Sequence, residues 1–402
     1  MISKELAKYS LRGLAHRKTR SFLTILSILL GIATIFIFIS FGLGLYNYIN
    51  EFTSSTSADK IIIQAKGGSG TGLGSSIMID NDDVRSVERS AGVFEASGSY
   101  ILAGEIVQGN KRVYVFLASY DPQIPLVIEF SNLKIELGRE LLPNDRGKVV
   151  LGYNYLVDDK IFPKGYELNQ NIEVNGEKMR IVGFYEPVGN PQDDSNIYIT
   201  NDYAEELFAG ENLSYGMIVA RVDKKDIDLA VENVEKSLRS HRDLDKGKED
   251  FSVQSFAELL DSYMGAMNIV IGFVILIALI SVLVSAVNTS NTMITSVLER
   301  IKEIGIIKSI GGKNSSIFSI FLFESGVLGF VSGVLGVLLG WGLSSLGGNI
   351  LASLGWSFLS PAFPASLFIG CILFATITGA ISGVIPSWQA SKINPVDALR
   401  YE

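Results

Sequence analysis

FLTILSILLGIATIFIFISFGLGL, residues 22–45, carries no charged side chain, and its reading decides the fold class. At 1.5 Å rise per residue such a stretch is long enough to cross the roughly 30 Å hydrocarbon core of a bilayer as a helix. A helix is also what lipid demands, because every backbone amide must there find its partner inside the segment. A cleaved secretory signal has an apolar core of about 7–15 residues and a small-residue cleavage site. This stretch is longer and no A-x-A follows it, so it reads as an uncleaved anchor.

Working outward, charge is also absent from residues 266–298 and 325–391. These stretches place three more spans, at 266–291, 317–343 and 367–386, the last ending at Pro386. Between the last two, residues 344–366 hold Gly347-Gly348, Pro361 and Pro364, which suits a short turn. The rest of the chain is different in kind. Residues 50–265 contain 22 Lys and Arg against 36 Asp and Glu, a net charge of −14, while the remainder is net +6. The expected fold class is therefore a membrane protein with four transmembrane α-helices and a large α+β extracytoplasmic domain, residues 46–265, inserted between the first two. With 19% charged residues against about a quarter in soluble domains, an ordinary cytosolic enzyme is excluded. The acidic insert would repel nucleic acid.

Orientation follows from Lys and Arg in the short flanks. Lys4, Lys8, Arg12, Arg17, Lys18 and Arg20 precede the first span; Arg300, Lys302, Lys308 and Lys313 lie between the second and third; Lys392 and Arg400 follow the fourth. The loop between the third and fourth spans has none. Both termini and the 292–316 loop are expected in the cytoplasm of a multi-pass protein of the cell membrane. In residues 1–21 the fourfold spacing of Lys4, Lys8, Arg12, His16 and Arg20 predicts a basic-striped helix lying on membrane lipid.

Inside the acidic insert, strand-like runs fall at 60–64, 112–117, 148–151, 172–174, 179–184, 196–199 and 215–222. Asn175-Gly176 is a hairpin signal, and residues 227–239 read as an amphipathic helix. Two subdomains are expected. The Gly-rich stretch 67–74 has no following Gly-Lys-Ser/Thr and reads as a loop, and Asn212-Leu213-Ser214 has the form of a glycosylation sequon. Cys371 is the only cysteine and His16 and His241 the only histidines. No zinc spacing and no nucleophile-histidine arrangement follows from them, so neither a metal site nor a catalytic site is expected in this chain.

The 299–312 segment reads Glu-Arg-Ile-Lys-Glu-Ile-Gly-Ile-Ile-Lys-Ser-Ile-Gly-Gly. Its charges admit two readings: a short helix docking on a soluble partner, or a solvated connector in which Glu299 pairs with Lys302 and Arg300 with Glu303. Glu324, a few residues into the third span, is either a functional group at membrane depth or an interfacial carboxylate reaching back to water. Gly326, Gly329, Gly333, Gly336 and Gly340 give that span small-residue faces suited to close helix packing, including a subunit contact.

The 299–312 segment resembles the E-R-x-x-E-I-G-x-x-[KR]-x-x-G stretch of MacB/FtsX-like ABC transporter permeases. Arg17-Lys18-Thr19-Arg20-Ser21 before the first span, Phe321-Leu322-Phe323-Glu324-Ser325, and the Pro395-Val396-Asp397-Ala398-Leu399-Arg400 tail are similar to that family's motifs, as are Val150-Leu151-Gly152 and Arg180-Ile181-Val182-Gly183-Phe184 in the insert. Gly312-Lys313-Asn314 is no Walker A motif. The resemblance implies a stand-alone permease subunit, itself without cofactor, paired as a homodimer and served by a separate ATPase chain that binds ATP and Mg. It also implies coupling of ATP hydrolysis to movement of the insert, for export of a peptide, drug or lipid-linked substrate, with an extracytoplasmic adaptor or substrate protein as further partner. An FtsX-like regulator of an extracellular hydrolase and a sensory subunit are the alternatives. Carried over residue by residue, the ATPase-coupling positions would be Glu299, Arg300, Glu303, Ile304, Gly305, Lys308 and Gly311.

Overall fold

A computed structural model describes residues 18–53, 59–66, 77–109, 111–210 and 212–400. The basic stripe at residues 1–17 and the Gly-rich stretch 67–74 lie outside the described residues. Among the described residues, four helices are long and apolar enough to cross a membrane. They are α1 (Lys18–Thr53), α6 (Phe256–Glu299), α8 (Asn314–Ser353) and α9 (Ala365–Lys392). Each runs past the apolar stretch that predicts it. The chain divides into a membrane unit (residues 1–45, 266–350 and 359–402) and a sheet unit (residues 46–265 and 351–358).

The membrane unit is held by small side chains and hydroxyls. Ser40 Oγ donates to Ser344 Oγ at 3.1 Å, joining α1 to α8, while Thr24–Thr292 (3.1 Å) and Ser27–Ser285 (2.8 Å) join α1 to α6. Without water to compete, hydroxyls bonding across helices and backbones in close approach are what hold such a bundle. A methyl group on Gly329 would stand 2.5 Å from the Ala375 carbonyl oxygen of α9, and one on Gly340 3.0 Å from Cβ of Phe36 on α1. The faces of α8 at Gly329, Gly333, Gly336 and Gly340 are thus occupied within this chain by α1 and α9.

The sheet unit begins with β1 (Lys60–Ala65), α2 (Asn81–Glu88), β2 (Val93–Ser99), β3 (Ile101–Gln108), β4 (Lys111–Tyr120), α3 (Leu126–Phe130), β5 (Ile135–Gly138) and β6 (Lys148–Leu151). It continues through β7 (Asn171–Val174), β8 (Glu177–Tyr185), β9 (Ile197–Thr200), α4 (Asn201–Leu207), β10 (Met217–Val222), α5 (Ile227–His241) and β11 (Phe251–Ser255). One sheet has four strands in the order β11-β1-β10-β2; the other has seven, β5-β8-β6-β9-β4-β3-β7, and β7 also pairs with β8, closing it into a ring. The hairpin between β7 and β8 turns at Asn175 (φ 52°) and Gly176 (φ 84°), the left-handed pair that a two-residue turn requires. Gly152 permits close contact after β6: a Cβ there would meet the Asp194 carbonyl oxygen at 2.4 Å.

The four-stranded sheet meets α3 across charge. The Lys60 side chain, 0% exposed, lies 3.0 Å from both Asp59 and Glu129, and Arg221 pairs with Glu129 and, at 2.9 Å, with Glu95. Burial alone would raise the pKa of Asp59 and Glu129; hydrogen bonds from Lys60, and for Glu129 also from Arg221, outweigh it and hold both carboxyls below their ordinary 3.8 and 4.5. A carboxyl with a depressed folded-state pKa stabilises the fold above its unfolded value and loses that contribution as pH falls through the folded one. Lys60→Met should therefore lower the unfolding temperature of the sheet unit most at pH 7, with the difference from wild type shrinking below about pH 4.5. Calorimetry of the full chain across pH 7 to 3.5 checks this, and a pH-independent difference would contradict it.

Candidate functional site

Helix α6 ends at Glu299, and α7 (Ile301–Ser309) begins after a single residue, Arg300. Arg300 does not cap the new helix with its side chain. Its guanidinium turns instead to Glu324 on α8, with Nη1 3.3 Å from Oε2 and the two side chains 9% and 3% exposed. Glu324 is thus a buried partner of Arg300.

At its other end α7 stops in a Schellman arrangement: the Gly312 amide donates to the Ile307 carbonyl (2.9 Å) and the Gly311 amide to that of Lys308 (3.0 Å). Gly311 sits at φ +94°, which a side chain would strain. Lys308 Nζ donates to the carbonyl oxygens of Ser391 and Ile393, both at 2.7 Å. There it neutralises the partial negative charge at the C-terminal end of α9. A Cβ on Gly305 would lie 2.9 Å from Cβ of Ala398, so α10 (Pro395–Arg400) packs directly on α7. Ile304, 3% exposed, enters an apolar cluster with Val297, Ile317 and Phe321.

The sequence-selected residues therefore separate by direction. Arg300, Ile304, Gly305 and Lys308 face inward and bind α7 to α8, α9 and α10. Gly311 shapes the turn. Glu299 and Glu303 are exposed. The outward face adds residues that motif matching passed over: Lys302, Ile306 (55% exposed) and Ile310 (82% exposed). Their signal is present in the sequence as an apolar i, i+4 pair bracketed by charges, but facing cannot be assigned without knowing what Ile304 packs on.

Elsewhere, ligand atoms of Asp80, Asp83 and His241 come within 4.8 Å of one another. Both oxygens of Asp83 accept from the Arg242 guanidinium, and Asp80 caps α2 by accepting from the Asp82 and Asp83 amides. That position already holds a cation, and a metal ion would face the guanidinium.

A short charged helix keyed to several long apolar helices, with an apolar pair turned outward, belongs to a polytopic membrane protein. Comparison with known proteins gives the family. Residues 21–237 match the MacB-like periplasmic core domain and residues 275–395 the FtsX-like permease C-terminal domain. An uncharacterized ABC transporter permease of Methanocaldococcus jannaschii is 30% identical over 99% of this chain and 98% of its own length. The Bacillus subtilis uncharacterized ABC transporter permease YvrN is 28% identical over 98% and 99%. The macrolide export ATP-binding/permease protein MacB of Bdellovibrio bacteriovorus is 28% identical over 97% of this chain, which spans 60% of that protein. The periplasmic region of MacB from Actinobacillus actinomycetemcomitans superposes over 52% of this chain and 93% of its own, at 18% identity and TM-score 0.42. The chain belongs to the MacB/FtsX-type ABC transporter permeases.

Removing one partner of a buried ion pair costs about 3–5 kcal/mol, whereas replacing both by apolar groups of similar volume can be neutral. If Arg300–Glu324 serves to fix α7, Arg300→Met and Glu324→Leu should each lower the unfolding temperature of the detergent-solubilised chain, and the double variant should recover most of the loss. A thermal-unfolding cycle over the four proteins tests this; a double variant as damaged as the sum of the singles would contradict it.

Proposed function

We propose that this chain is the permease subunit of an ABC transporter in which a separate ATPase chain, binding ATP and Mg, docks on the outward face of α7. The observation that carries the reading is the two-sidedness of α7. Its inner face is locked by an ion pair, a lysine on carbonyl oxygens and a glycine contact, while Ile306 and Ile310 stand exposed between Lys302, Glu303 and Lys313. Exposed apolar side chains inside a charged rim are the composition of a docking patch. A partner gripping that face would move α6, α8, α9 and α10 together. ATP-driven closure of the ATPase pair would reach the sheet unit along α6 and α8, and two permease chains would work as a homodimer. The substrate would be handled on the extracytoplasmic side and exported, with an adaptor or substrate protein as partner there. Hydrolysis belongs to the ATPase; this chain transmits.

The patch is tested by Ile306→Asp with Ile310→Asp. The double variant should insert in the membrane and keep its unfolding temperature, yet lose at least tenfold in recovery of the ATPase on affinity purification, since burying two carboxylates in an apolar contact is costly. Undiminished recovery would remove α7 from the coupling role.

The same reading fixes sidedness: both termini and α7 in the cytoplasm, the sheet unit outside. With Cys371 replaced, a cysteine at Lys225 should react with an impermeant maleimide in intact cells, and one at Lys313 only after lysis. The opposite pattern would overturn the orientation.

A further inference from the structure

Within the sheet unit a cavity of about 310 Å³ opens between the two sheets, with Phe116 and Tyr198 on one side, Met217 on the other, and Phe130 and Tyr263 at its edges. Its volume falls at the lower end of the range of small-molecule sites, and its lining mixes apolar and aromatic side chains with polar ones, Gln64, Ser99, Ser131, Gln192 and Asn196 among them. Asp193 is the acidic residue in that lining.

Asp193 differs from several other carboxylates of this unit in its partners. Asp59, Asp83, Asp145 and Glu129 each pair with a Lys or Arg. Asp193 accepts only from two amides, Asn190 Nδ2 at 3.0 Å and Asn196 Nδ2 at 3.4 Å, and no cation pairs with it among the described residues. Burial, with a contribution from the neighbouring Asp194, raises its pKa to about 6. A carboxylate partly withdrawn from water gains more from an arriving cation than one fully in water. Phe116, Phe130 and Tyr263 add aromatic rings to the lining, and a ring that offers its face attracts the same charge.

We propose that this cavity binds a small molecule with a protonated amine on an apolar, aromatic body, the amine against Asp193 and the body among Phe116, Phe130 and Tyr263. The loop that carries Asp193 has a second attachment. Asp194 accepts from the amides of Val188 (2.9 Å) and Gly189 (3.1 Å), and the Gly189 carbonyl accepts from the amide of Phe358 (3.3 Å). Pro191 lies against Gly355, and Lys160 Nζ donates to the Ser353 carbonyl at 2.6 Å. Segment 351–358, which connects α8 to α9, is therefore seated on the loop that forms one wall of the site. Occupancy stiffens that seat. Its meaning for transport rests on the coupling reading above; the binding itself does not.

The full chain in lipid nanodiscs is titrated with 4-phenylbutylamine and with the uncharged 4-phenylbutanol, using ligand-observed NMR and, for the backbone, hydrogen exchange. The amine should bind wild type about tenfold more tightly than the alcohol does, as a charge-assisted hydrogen bond provides. Asp193→Asn should erase that preference and leave the alcohol's affinity unchanged. Amide exchange in 186–196 and 351–358 should slow with amine on wild type and not on Asp193→Asn. Ala118→Leu, which fills the cavity with Asp193 in place, should abolish binding of both probes. Equal amine affinity for wild type and Asp193→Asn, amine and alcohol bound alike by wild type, no binding of the amine at all, or amine binding that survives Ala118→Leu would each overturn the proposal. ATPase recovery is measured separately, so failure here and failure of the docking reading are distinguishable.

Discussion

The arrangement around α7 depends on one ion pair that water hardly reaches. Two charges brought out of water lose hydration worth several kcal/mol each, and their attraction compensates only while the geometry is kept. Arg300 and Glu324 are thus intolerant of displacement: the residue between α6 and α7 is held against a fixed point on α8. The direction of α7 follows. Once it lies there, Ile304 reaches the apolar cluster of Ile317 and Phe321, Lys308 reaches the end of α9, and Gly305 admits Ala398. Each of these contacts is modest, and each presupposes the first.

What the sequence made legible and what it hid divide along physical lines. Spans announce themselves because lipid forbids unpaired charge over a fixed length, so four helices and the inserted α+β domain could be read directly. Asn175-Gly176 and the periodicity of residues 227–239 were equally plain, since turn chemistry and helical facing are local. Strand β2 was not. Its sequence, VFEASGS, has too little apolar alternation to read as buried, yet Ser97 and Ser99 are buried. Ser99 Oγ donates to the Ser119 carbonyl at 2.7 Å, and Gly98 lies under the ring of Tyr215, where a Cβ would stand 2.6 Å from ring carbons. These partners are distant in the chain, and no window of sequence contains them.

The same limit applied to α7. The motif residues mix side chains that anchor the helix with side chains that face away from it. Spacing alone cannot tell Ile304 from Ile306, and only the packing of α7 on its neighbours separates them. The acidic excess of the insert was legible as a number, but its distribution was not. Several basic side chains are committed to buried carboxylates such as Asp83 and Asp145, whereas Asp193 accepts from amides.

The sheet unit is not cut from one length of chain. It takes most of its residues from between α1 and α6, but eight come from 351–358, on the far side of α8. Phe358 contributes an aromatic contact with Tyr48 and a backbone hydrogen bond to Gly189, and the Trp356 ring lies tilted against Phe358 in turn. The unit therefore fails as a cassette. A chimera that exchanged residues 46–265 for those of another family member would bring a new 188–196 loop to an old 351–358, so the graft has two pieces that must be moved as one. Divergence in one segment constrains the other, however different the molecules that successive descendants of this fold come to handle.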